Sequence, residues 1–386
     1  MLASACCLWG NPSGMTVSRG TASSTATGSQ LNINVSSSAF LNWQSFNIGV
    51  GETTIFHQPS ASSIVWNRIT DSNPSQIWGH LSANGIVVLM NSSGFYFGPG
   101  SVVNAAGFVA TTAITLPQFD SGGAWQFTGP PPAASIVNFG EMKVNSGGSL
   151  FLIAEKIENH GVLMAPDGTL GLYAGKEVLM SERPDGRGLS VHVRLPEGSV
   201  DNQGRLVADG GSILLHAQTV NQNGTLQANS VRSHDGVIEL VASESVTLGA
   251  QSVIEAHGDN SSTSQGGQIT IKSAGSFSDA AGSLISVAGG ASGGNGGQVE
   301  ISAPSMAAIN SAVDGHADRG SIGGSLLIDP TDIIIANTGT GSANGGTVNA
   351  ADPPTTLRLN VNSAFIGLSD ITLQATRNIT ISSDTT

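Results

Sequence analysis

The sequence has few of the features that stabilise most compact domains. Only two of its 386 residues are cysteines, Cys6 and Cys7. Adjacent cysteines are poorly placed to bridge with each other, so no disulfide framework is expected. Charged residues make up 11% and aromatic residues 5% of the chain, so few long charged side chains are available for the solvent-exposed faces of helices. Stability is therefore expected to come from β-strands and the turns that join them.

Basic side chains and long apolar runs are also scarce. Lys and Arg number 14 against 27 for Asp and Glu, and the resulting net charge of −13 argues against a surface that follows nucleic-acid phosphates. No stretch approaches the roughly 20 apolar residues that a membrane-spanning helix requires. Neither a nucleic-acid partner nor a membrane span is predicted.

The first ten residues are apolar and small but have no basic leader. Residues 1–10 therefore suggest the remnant of a signal peptide. A lipoprotein modified at Cys6 is a weaker alternative, because Ala3 stands where a lipobox prefers Leu. A truncated or misassigned start is another alternative.

What the chain has instead is repetition. The pattern Asn-x-Gly-x-Leu-x-Ala recurs in two full and two looser copies, at residues 159–165, 202–208, 138–144 and 222–228. Successive glycines of these copies are 20, 21 or 43 residues apart, which is one or two units of about 21. A fixed period of this length is the sequence signature of a solenoid.

A second pattern places a glycine before alternating apolar residues. It begins at Gly148, Gly211, Gly267, Gly297 and Gly324. Alternation with period two is typical of a strand with one buried face, and each glycine is interpreted as the turn that leads into the strand. The last three glycines are 30 and 27 residues apart, so the later coils are expected to carry longer loops.

Together the repeats predict an all-β fold, a right-handed single-stranded parallel β-helix with almost no α-helix. One coil cannot bury its own inward face, so the coils must stack. The open end of such a solenoid is an exposed sheet edge that needs covering. Residues 11–30 and 111–132, which look irregular, are predicted to form an N-terminal cap and an excursion from the coils.

Residues 42–112 resemble the filamentous haemagglutinin N-terminal domain, also called the haemagglutination activity domain. This is the secretion domain of two-partner secretion exoproteins. The resemblance rests on an ordered, gap-poor series of segments: residues 42–49 (NWQSFNIG), 56–59 (FHQP), 66–69 (WNRI), 73–79 (NPSQIWG), 81–85 (LSANG), 88–98 (VLMNSSGFYFG) and 103–112 (VNAAGFVATT). Residues 326–333 (LLIDPTDI) resemble a segment common downstream in such proteins.

The resemblance implies a non-enzymatic, secreted bacterial exoprotein. A partner outer-membrane transporter would recognise the domain in the periplasm, pass the chain in unfolded form, and let it fold outside the cell or on its surface. Residues 11–300 are then assigned to the secretion domain and residues 301–386 to the start of the exoprotein body. The chain is expected to be a fragment of a longer protein.

The resemblance also implies which residues the transporter recognises. The family's first Asn-Pro turn falls on Asn73, Pro74, Ser75 and Gln76. A second turn, Asn-Pro-Asn-Gly in the family, is here Asn-Ser-Ser-Gly and begins at Asn91. Losing Pro removes a pre-set dihedral, but Ser still supports a type I turn and Gly94 accepts positive φ.

The other candidate motifs lack features that their chemistry requires. Residues 290–294 fit the nucleophile-elbow pattern but lie in a Gly/Ser stretch without a strand and helix around them. Residues 293–299 nearly fit a calcium-binding nonapeptide, yet Gln298 stands where the ligating Asp belongs. The eight histidines show no metal-ligand spacing. No cofactor and no metal are predicted.

Three functions remain open at this stage. The favoured one is an adhesin whose β-helix presents a surface to glycans or to cells. A polysaccharide-active β-helix enzyme would need several carboxylates on one groove face, and here Asp and Glu are sparse. A structural matrix protein would bind no glycan selectively.

Overall fold

The regular secondary structure of the described part of the chain consists of β-strands, and the chain divides into two compact units. Unit 1 comprises Met1–Met164 and Gly175–Arg194, and unit 2 comprises Ala165–Ala174 and Leu195–Thr386. In this computed structural model the described residues are 10–113, 124–131, 133–182, 189–231, 234–259, 263–318, 320–336, 340–341, 346–348, 355–360 and 368–382. The predicted signal-peptide remnant, with Cys6 and Cys7, lies almost entirely outside them.

Unit 1 is built from short strands. In chain order they are β1 (Thr16–Arg19), β2 (Ala22–Thr27), β3 (Gln30–Val35), β4 (Ala39–Trp43), β5 (Thr53–His57), β6 (Ile64–Ile69), β7 (Ser75–Ile77), β8 (His80–Ala83), β9 (Ile86–Asn91), β10 (Phe95–Phe97), β11 (Val102–Ala105), β12 (Gly107–Thr111), β13 (Ala124–Thr128), β14 (Ser135–Asn138), β15 (Glu141–Val144), β16 (Ser149–Ile153), β17 (Lys156–Asn159) and β18 (Val162–Met164). After β19 (Thr169–Tyr173), which belongs to unit 2, follow β20 (Gly175–Glu182) and β21 (Leu189–Pro196).

Apart from β1, β2, β13, β20 and β21, the strands of unit 1 form three parallel sheets, and each complete coil contributes one strand to each sheet. Sheet A contains β4, β6, β9, β12 and β16, sheet B contains β7, β10, β14 and β17, and sheet C contains β3, β5, β8, β11, β15 and β18. The register repeats with the predicted period, since Met142 lies opposite Leu163, and the hydrogen-bonded Asn138 and Asn159 are 21 residues apart. The predicted parallel β-helix is confirmed.

The N-terminal end of unit 1 is capped, as predicted, but by strands rather than by an irregular segment. Strand β1 pairs antiparallel with β4, and β2 pairs antiparallel with β3. The side chains of β1 and nearly all of those of β2 are exposed, because these strands cover the sheet edge and not the core. Antiparallel pairing satisfies the backbone groups of the first coil without adding another coil.

The predicted excursion leaves the coils between β12 and β14. Residues 114–123 and 132 lie outside the described part, and β13 pairs antiparallel with β20, which pairs with β21. Strands β20 and β21 form a second excursion that was not predicted. Sheet A is buried on both faces along one row of outward residues, Trp66, Val88, Val109 and Phe151, which are as inaccessible as its inward ones. These outward residues therefore form a second buried apolar row beside the inward one.

Unit 2 is built from the same kind of coil. Its parallel ladders are β19–β24–β26–β28–β31–β33–β38 and β23–β25–β27–β30–β32. Its remaining strands are β22 (Ser199–Asn202), β23 (Arg205–Val207), β24 (Ser212–Gln222), β25 (Thr225–Gln227), β26 (Val237–Leu248), β27 (Val253–Glu255), β28 (Gln268–Ser273), β29 (Ser276–Asp279), β30 (Leu284–Ser286), β31 (Gln298–Ser302), β32 (Ala312–Asp314), β33 (Gly324–Asp329), β34 (Asp332–Ala336), β35 (Thr340–Gly341), β36 (Gly346–Val348), β37 (Thr356–Asn360), β38 (Leu368–Leu373) and β39 (Asn378–Ile381).

The coils of unit 2 lengthen along the chain. Asn202 and Gln222, whose side chains are hydrogen-bonded across one coil, are 20 residues apart. Across a later coil, the Asp279 carboxylate accepts from Asn310 N, which lies 31 residues further on. The added residues lie between strands, and the inward side chains still align. The longer loops predicted for the later coils are confirmed.

The repeated glycines allow successive coils to approach closely. A Cβ placed on Gly161 would lie on the carbonyl oxygen of Gly140, and one on Gly224 would lie on that of Gly204. Gly297 is in the same position over Gly267. These glycines are therefore required by the distance between coils rather than by a turn dihedral.

The repeated asparagines form buried amide ladders inside the coils. Asn138 Nδ2 donates to Asn159 Oδ1 at 2.8 Å, and its Oδ1 accepts from Gly140 N at 3.0 Å. In unit 2, Asn202 Nδ2 donates to Gln222 Oε1 at 2.8 Å. All four side chains are fully buried. Each amide therefore forms hydrogen bonds with polar groups inside the coils that water cannot reach.

Candidate functional site

The first predicted recognition turn joins β6 to β7 and is held by Asp71. The Asp71 Oδ1 atom accepts from both Asn73 N and Asn73 Nδ2 at 3.0 Å. Asn73 and Pro74 are exposed, while Ser75, the first residue of β7, is buried. The turn thus presents an amide and a proline ring to solvent on a fixed backbone.

The second turn joins β9 to β10 and depends on a buried asparagine. Asn91 is inaccessible to solvent, and its Oδ1 accepts from Ser93 N at 2.9 Å. Gly94 has a φ of 107°, so the positive φ predicted for it is present. A Cβ on Gly94 would also collide with the carbonyl oxygen of Ser135, which gives a second reason for glycine.

Hydrogen bonds join the two turns into one surface. Asn91 Nδ2 donates to Asn73 O at 3.2 Å and to Ser75 Oγ at 3.0 Å. Ser93 Oγ donates to Asp71 O at 3.0 Å. We call residues 71–76 and 91–94 the paired-turn surface. All the residues predicted from the resemblance lie on it, in two stacked coils.

The predicted site residues have different accessibility within this surface. Asn73 and Pro74 can contact a partner, and the half-buried Gln76 is fixed by a hydrogen bond from its N to Asn47 Oδ1 at 2.8 Å. Asn91, Ser75 and Gly94 are buried and position the exposed residues. Their assignment to transporter recognition stays a prediction.

A pocket of about 200 Å³ opens beside the paired-turn surface. Met90 is buried and Arg68 is exposed, and no described carboxylate forms an ion pair with this arginine. Arg68 was not predicted as a site residue, because a single basic residue at the end of a strand carries no pattern. The pocket is lined by Arg68, Ile69, Thr70, Met90, Ser92 and Ala113.

A column of aromatic rings follows the outside of sheet B across successive coils. The ring centroids are 5.3 Å apart for Trp78 and Tyr96, 5.9 Å for Tyr96 and Phe139, and 4.5 Å for Phe139 and His160. We call these four residues the aromatic column. Beside its last ring, Lys156 Nζ lies 2.6 Å from Glu158 Oε1 and holds the pKa of that carboxyl below its ordinary value.

The other motifs have no site geometry in the described part of the chain. Residues 290–294 lie in the loop between β30 and β31, where Gly293 and Gly294 have positive φ. Gln298 is exposed at the first position of β31. Among the described residues, no three His, Cys, Asp or Glu side chains are grouped to hold a metal ion. No described helix is long and apolar enough to cross a membrane.

The capped, stacked coils place the chain in the class of parallel β-helix proteins. Comparison with known families identifies which one. The family described as the TPS secretion domain matches residues 10–255, and the chain therefore belongs to this family of two-partner secretion domains. It is a family of secretion domains of exoproteins and not a family of enzymes.

Relatives in Haemophilus influenzae agree with this membership. A heme/hemopexin-binding protein is 29% identical over 219 residues, which are 55% of this chain and 24% of that protein. A second protein of that name is 38% identical over 93 residues, which are 24% of this chain and 10% of that protein. The chain thus spans a quarter or less of the length of these relatives.

A solved structure agrees with the fold. The crystal structure of the HMW1 secretion domain from Haemophilus influenzae superposes with a TM-score of 0.69 at 25% identity and covers 96% of this chain and 100% of that one. The resemblance seen in residues 42–112 is confirmed. The boundary at residue 300 stays a prediction.

Proposed function

We propose that the chain is the transport signal of a secreted exoprotein, recognised by a partner outer-membrane transporter at the paired-turn surface. The observation that supports the proposal is that hydrogen bonds hold the two turns next to each other. Asn73 and Asn91 are 18 residues apart in sequence and are joined directly by a hydrogen bond. The exposed Asn73 and Pro74 supply the contacts, and the buried Asn91 fixes their position.

The composition and the coil architecture support passage through a pore in an extended form. Charged residues are few, and the two cysteines are adjacent, so little hinders an unfolded chain. Each coil pairs chiefly with its neighbours, so one folded coil can template the next as the chain emerges. The coils that follow the paired turns can then fold progressively outside the cell.

The adhesive role belongs in our proposal to the longer exoprotein, whose coils would present a surface to glycans or cells. Two relatives are named for binding heme and hemopexin, and they are about four or more times longer than the matched segment. A polysaccharide-active enzyme would instead release reducing ends from polysaccharides, and a matrix protein would bind no glycan on an array.

The proposal is tested by co-expressing the chain with an outer-membrane transporter of the two-partner secretion type and measuring the exported fraction. We expect Asn73→Ala to lower export several-fold, because the substitution removes an exposed amide and one bond to Asp71. Asn104→Ala is the matched control, since Asn104 is exposed on β11 of the same unit and away from both turns. Its export should equal that of the wild type.

Two outcomes would contradict the proposal. Undiminished export without any transporter would show that no partner is needed. Equal export of wild type and of a chain carrying both Asn73→Ala and Pro74→Ala would remove the paired-turn surface as the recognition site. Circular dichroism of each purified variant checks that the fold is unchanged.

A further inference from the structure

The outward face of the later coils in unit 2 carries two rows of polar side chains. In the first row Gln268 lies opposite Gln298, and Gln298 lies opposite Ser325. In the second row Thr270 lies opposite Glu300. The rows run along the stacked coils, because the strands pair in parallel and in register. Neighbouring strands are about 4.8 Å apart, so each coil presents polar groups to a ligand at that interval.

A groove of about 130 Å³ lies along these rows. Its lining comes from four successive strands of one ladder, β28, β31, β33 and β38. Pockets that enclose a free organic ligand usually measure about 300–1,000 Å³, so this smaller space suits one unit of a longer ligand. The outward side chains that line it, which we call the polar groove, are Gln268, Gln298, Glu300, Ser325, Leu327 and Thr372.

The polar groove offers both donors and acceptors. Gln268 and Gln298 are exposed, and their side chains form no hydrogen bond with the described residues. Glu300 is held at one oxygen, because Lys272 Nζ lies 3.0 Å from its Oε1 and Ser302 Oγ donates to the same atom at 3.0 Å. Its Oε2 has no partner in the described part of the chain. Each glutamine amide provides two donors and an acceptor, and the carboxylate oxygen accepts.

The charge of this face disfavours acidic ligands. Lys272, the basic side chain beside the polar groove, is already paired with Glu300, and the chain carries a net charge of −13. Phosphate or sulfate groups would therefore be repelled. A neutral ligand meets no such repulsion.

The strand pairing disfavours an extended peptide. Peptides that extend a sheet bind to a free strand edge through main-chain hydrogen bonds. Strand β31 is paired on both sides, with β28 and with β33, so the polar groove presents side chains only. Sugar hydroxyls both donate and accept, and the C–H groups of a sugar ring can contact the half-buried Leu327.

We propose that the polar groove binds a neutral glycan whose chain runs along the coils. The strand separation of about 4.8 Å is close to the length of one residue in an extended glycan, so successive sugars meet successive coils. This inference goes beyond the transport signal, because it places an adhesive contact in the chain itself. The contact forms in the folded, exported protein and involves no transporter.

The test measures binding of the purified, folded full chain to an array of oligosaccharides. The neutral series are built from glucose, galactose, mannose or N-acetylglucosamine, and sulfated and uronic-acid oligosaccharides are printed beside them. We expect binding to at least one neutral series and none to the acidic ones. Affinity should rise from the monosaccharide to about the tetrasaccharide and then level off, because the groove crosses four strands.

Substitutions locate the binding on the chain. Gln298→Ala should weaken binding several-fold, and the double variant with Gln268→Ala should weaken it at least about tenfold, because hydrogen bonds to two successive sugars are lost. Gln251→Ala is the matched control, since Gln251 is exposed in the turn before β27 of the same unit and lies outside the groove. Its affinity should equal that of the wild type.

The inference fails if the wild type binds none of the neutral oligosaccharides or prefers the acidic ones. It also fails if the monosaccharide binds as tightly as the tetrasaccharide, or if Gln251→Ala weakens binding as much as Gln298→Ala. Melting temperatures equal to that of the wild type would exclude unfolding as the cause of any loss. Because no transporter is present, failure here leaves the proposed transport function standing, and impaired or normal export of Asn73→Ala leaves the groove untouched.

Discussion

At the scale of single residues, the repeat Asn-x-Gly combines two roles, one for the asparagine side chain and one for the glycine, which lacks a side chain. The asparagine satisfies buried polar groups of its own coil and of the next, as Asn138 does with Gly140 and Asn159. The glycine two positions later leaves space for the carbonyl oxygen of the preceding coil. Neither role tolerates an added atom, because the interior is close-packed.

Alanine at Gly161 should therefore destabilise unit 1. The new methyl group would meet the backbone of Gly140 and the Asn138 side-chain amide, and neither can move away without disturbing the ladder. Overpacking of this kind costs about 1–3 kcal/mol. Urea unfolding followed by circular dichroism measures the change in the free energy of unfolding.

Gly10→Ala is the control for this prediction, because nothing lies within 4 Å of a Cβ placed there. Its stability should match that of the wild type within about 0.5 kcal/mol. A Gly161→Ala variant as stable as Gly10→Ala would show that the coils can separate to accept a methyl group.

At the scale of an element, the aromatic column runs along the coils with a spacing set by the sheets. Its centroid distances of 4.5 to 5.9 Å bracket the strand separation of about 4.8 Å. Gly98 makes room for the column, because a Cβ there would touch the Trp78 ring.

A double-mutant cycle measures how far the rings cooperate. Phe139 and His160 are stacked with an interplanar angle of 5°, so replacing either by alanine should remove the same contact. We expect the two substitutions to be non-additive by about 0.5–1.5 kcal/mol in the free energy of unfolding.

The pair Trp78 and His160 serves as the comparison, because two rings of the column lie between them. Alanine substitutions at these positions should add to within about 0.5 kcal/mol. Additivity at Phe139 and His160 as well would mean that the rings merely occupy neighbouring positions.

At the scale of the whole molecule, the coils are held mainly by their immediate neighbours. Folding therefore requires that the strand register between neighbouring coils is kept, but it does not require a fixed number of coils. In unit 2, Gln227 lies opposite Glu255, and His257 N donates to Asn229 Oδ1, so one coil there corresponds to 28 residues. Removing that number keeps the alternation between inward and outward side chains.

Deletion of residues 227–254 should therefore leave a folded β-helix with one coil fewer. Glu255 would follow Leu226 and take the outward position of Gln227. We expect the far-ultraviolet circular dichroism to remain that of a β-protein and thermal unfolding to stay cooperative, with a lower melting temperature.

Deletion of residues 227–253 should instead prevent folding of that region. This change moves Ile254 to the outward position and places Glu255 where Ala228 is buried. A shift of one residue turns every side chain of a strand to the opposite face. Equal melting temperatures for the two deletions would refute the importance of register.

Much of this fold can be predicted from local patterns. Alternation around Leu163 and Leu226 identifies the inward residues, and the spacing of glycines identifies the length of a coil, because both are properties of residues close in sequence. The turns at Asn73 and Asn91 were predicted from the family resemblance, and their Asn, Pro, Ser and Gly residues are compatible with turns.

The second excursion, β20 and β21, has no such signal. Its strands alternate in sequence like those of a coil, and only the pairing of β20 with β13 and with β21 places them in a separate sheet. The Arg68 pocket and the aromatic column were missed for a related reason. The residues that form each of them come from different coils, and the loop lengths between coils vary.

The sequence by itself determined that this chain is a β-solenoid, its coil period, and its membership of a secretion-domain family. Tertiary structure alone decided that Asn73 and Asn91 share one surface, that Arg68 stands beside them, and that sheet A is covered on both faces. The physical reason is that strand alternation and turns are encoded within a few neighbouring positions. Contacts between coils depend instead on a register that accumulates over whole coils.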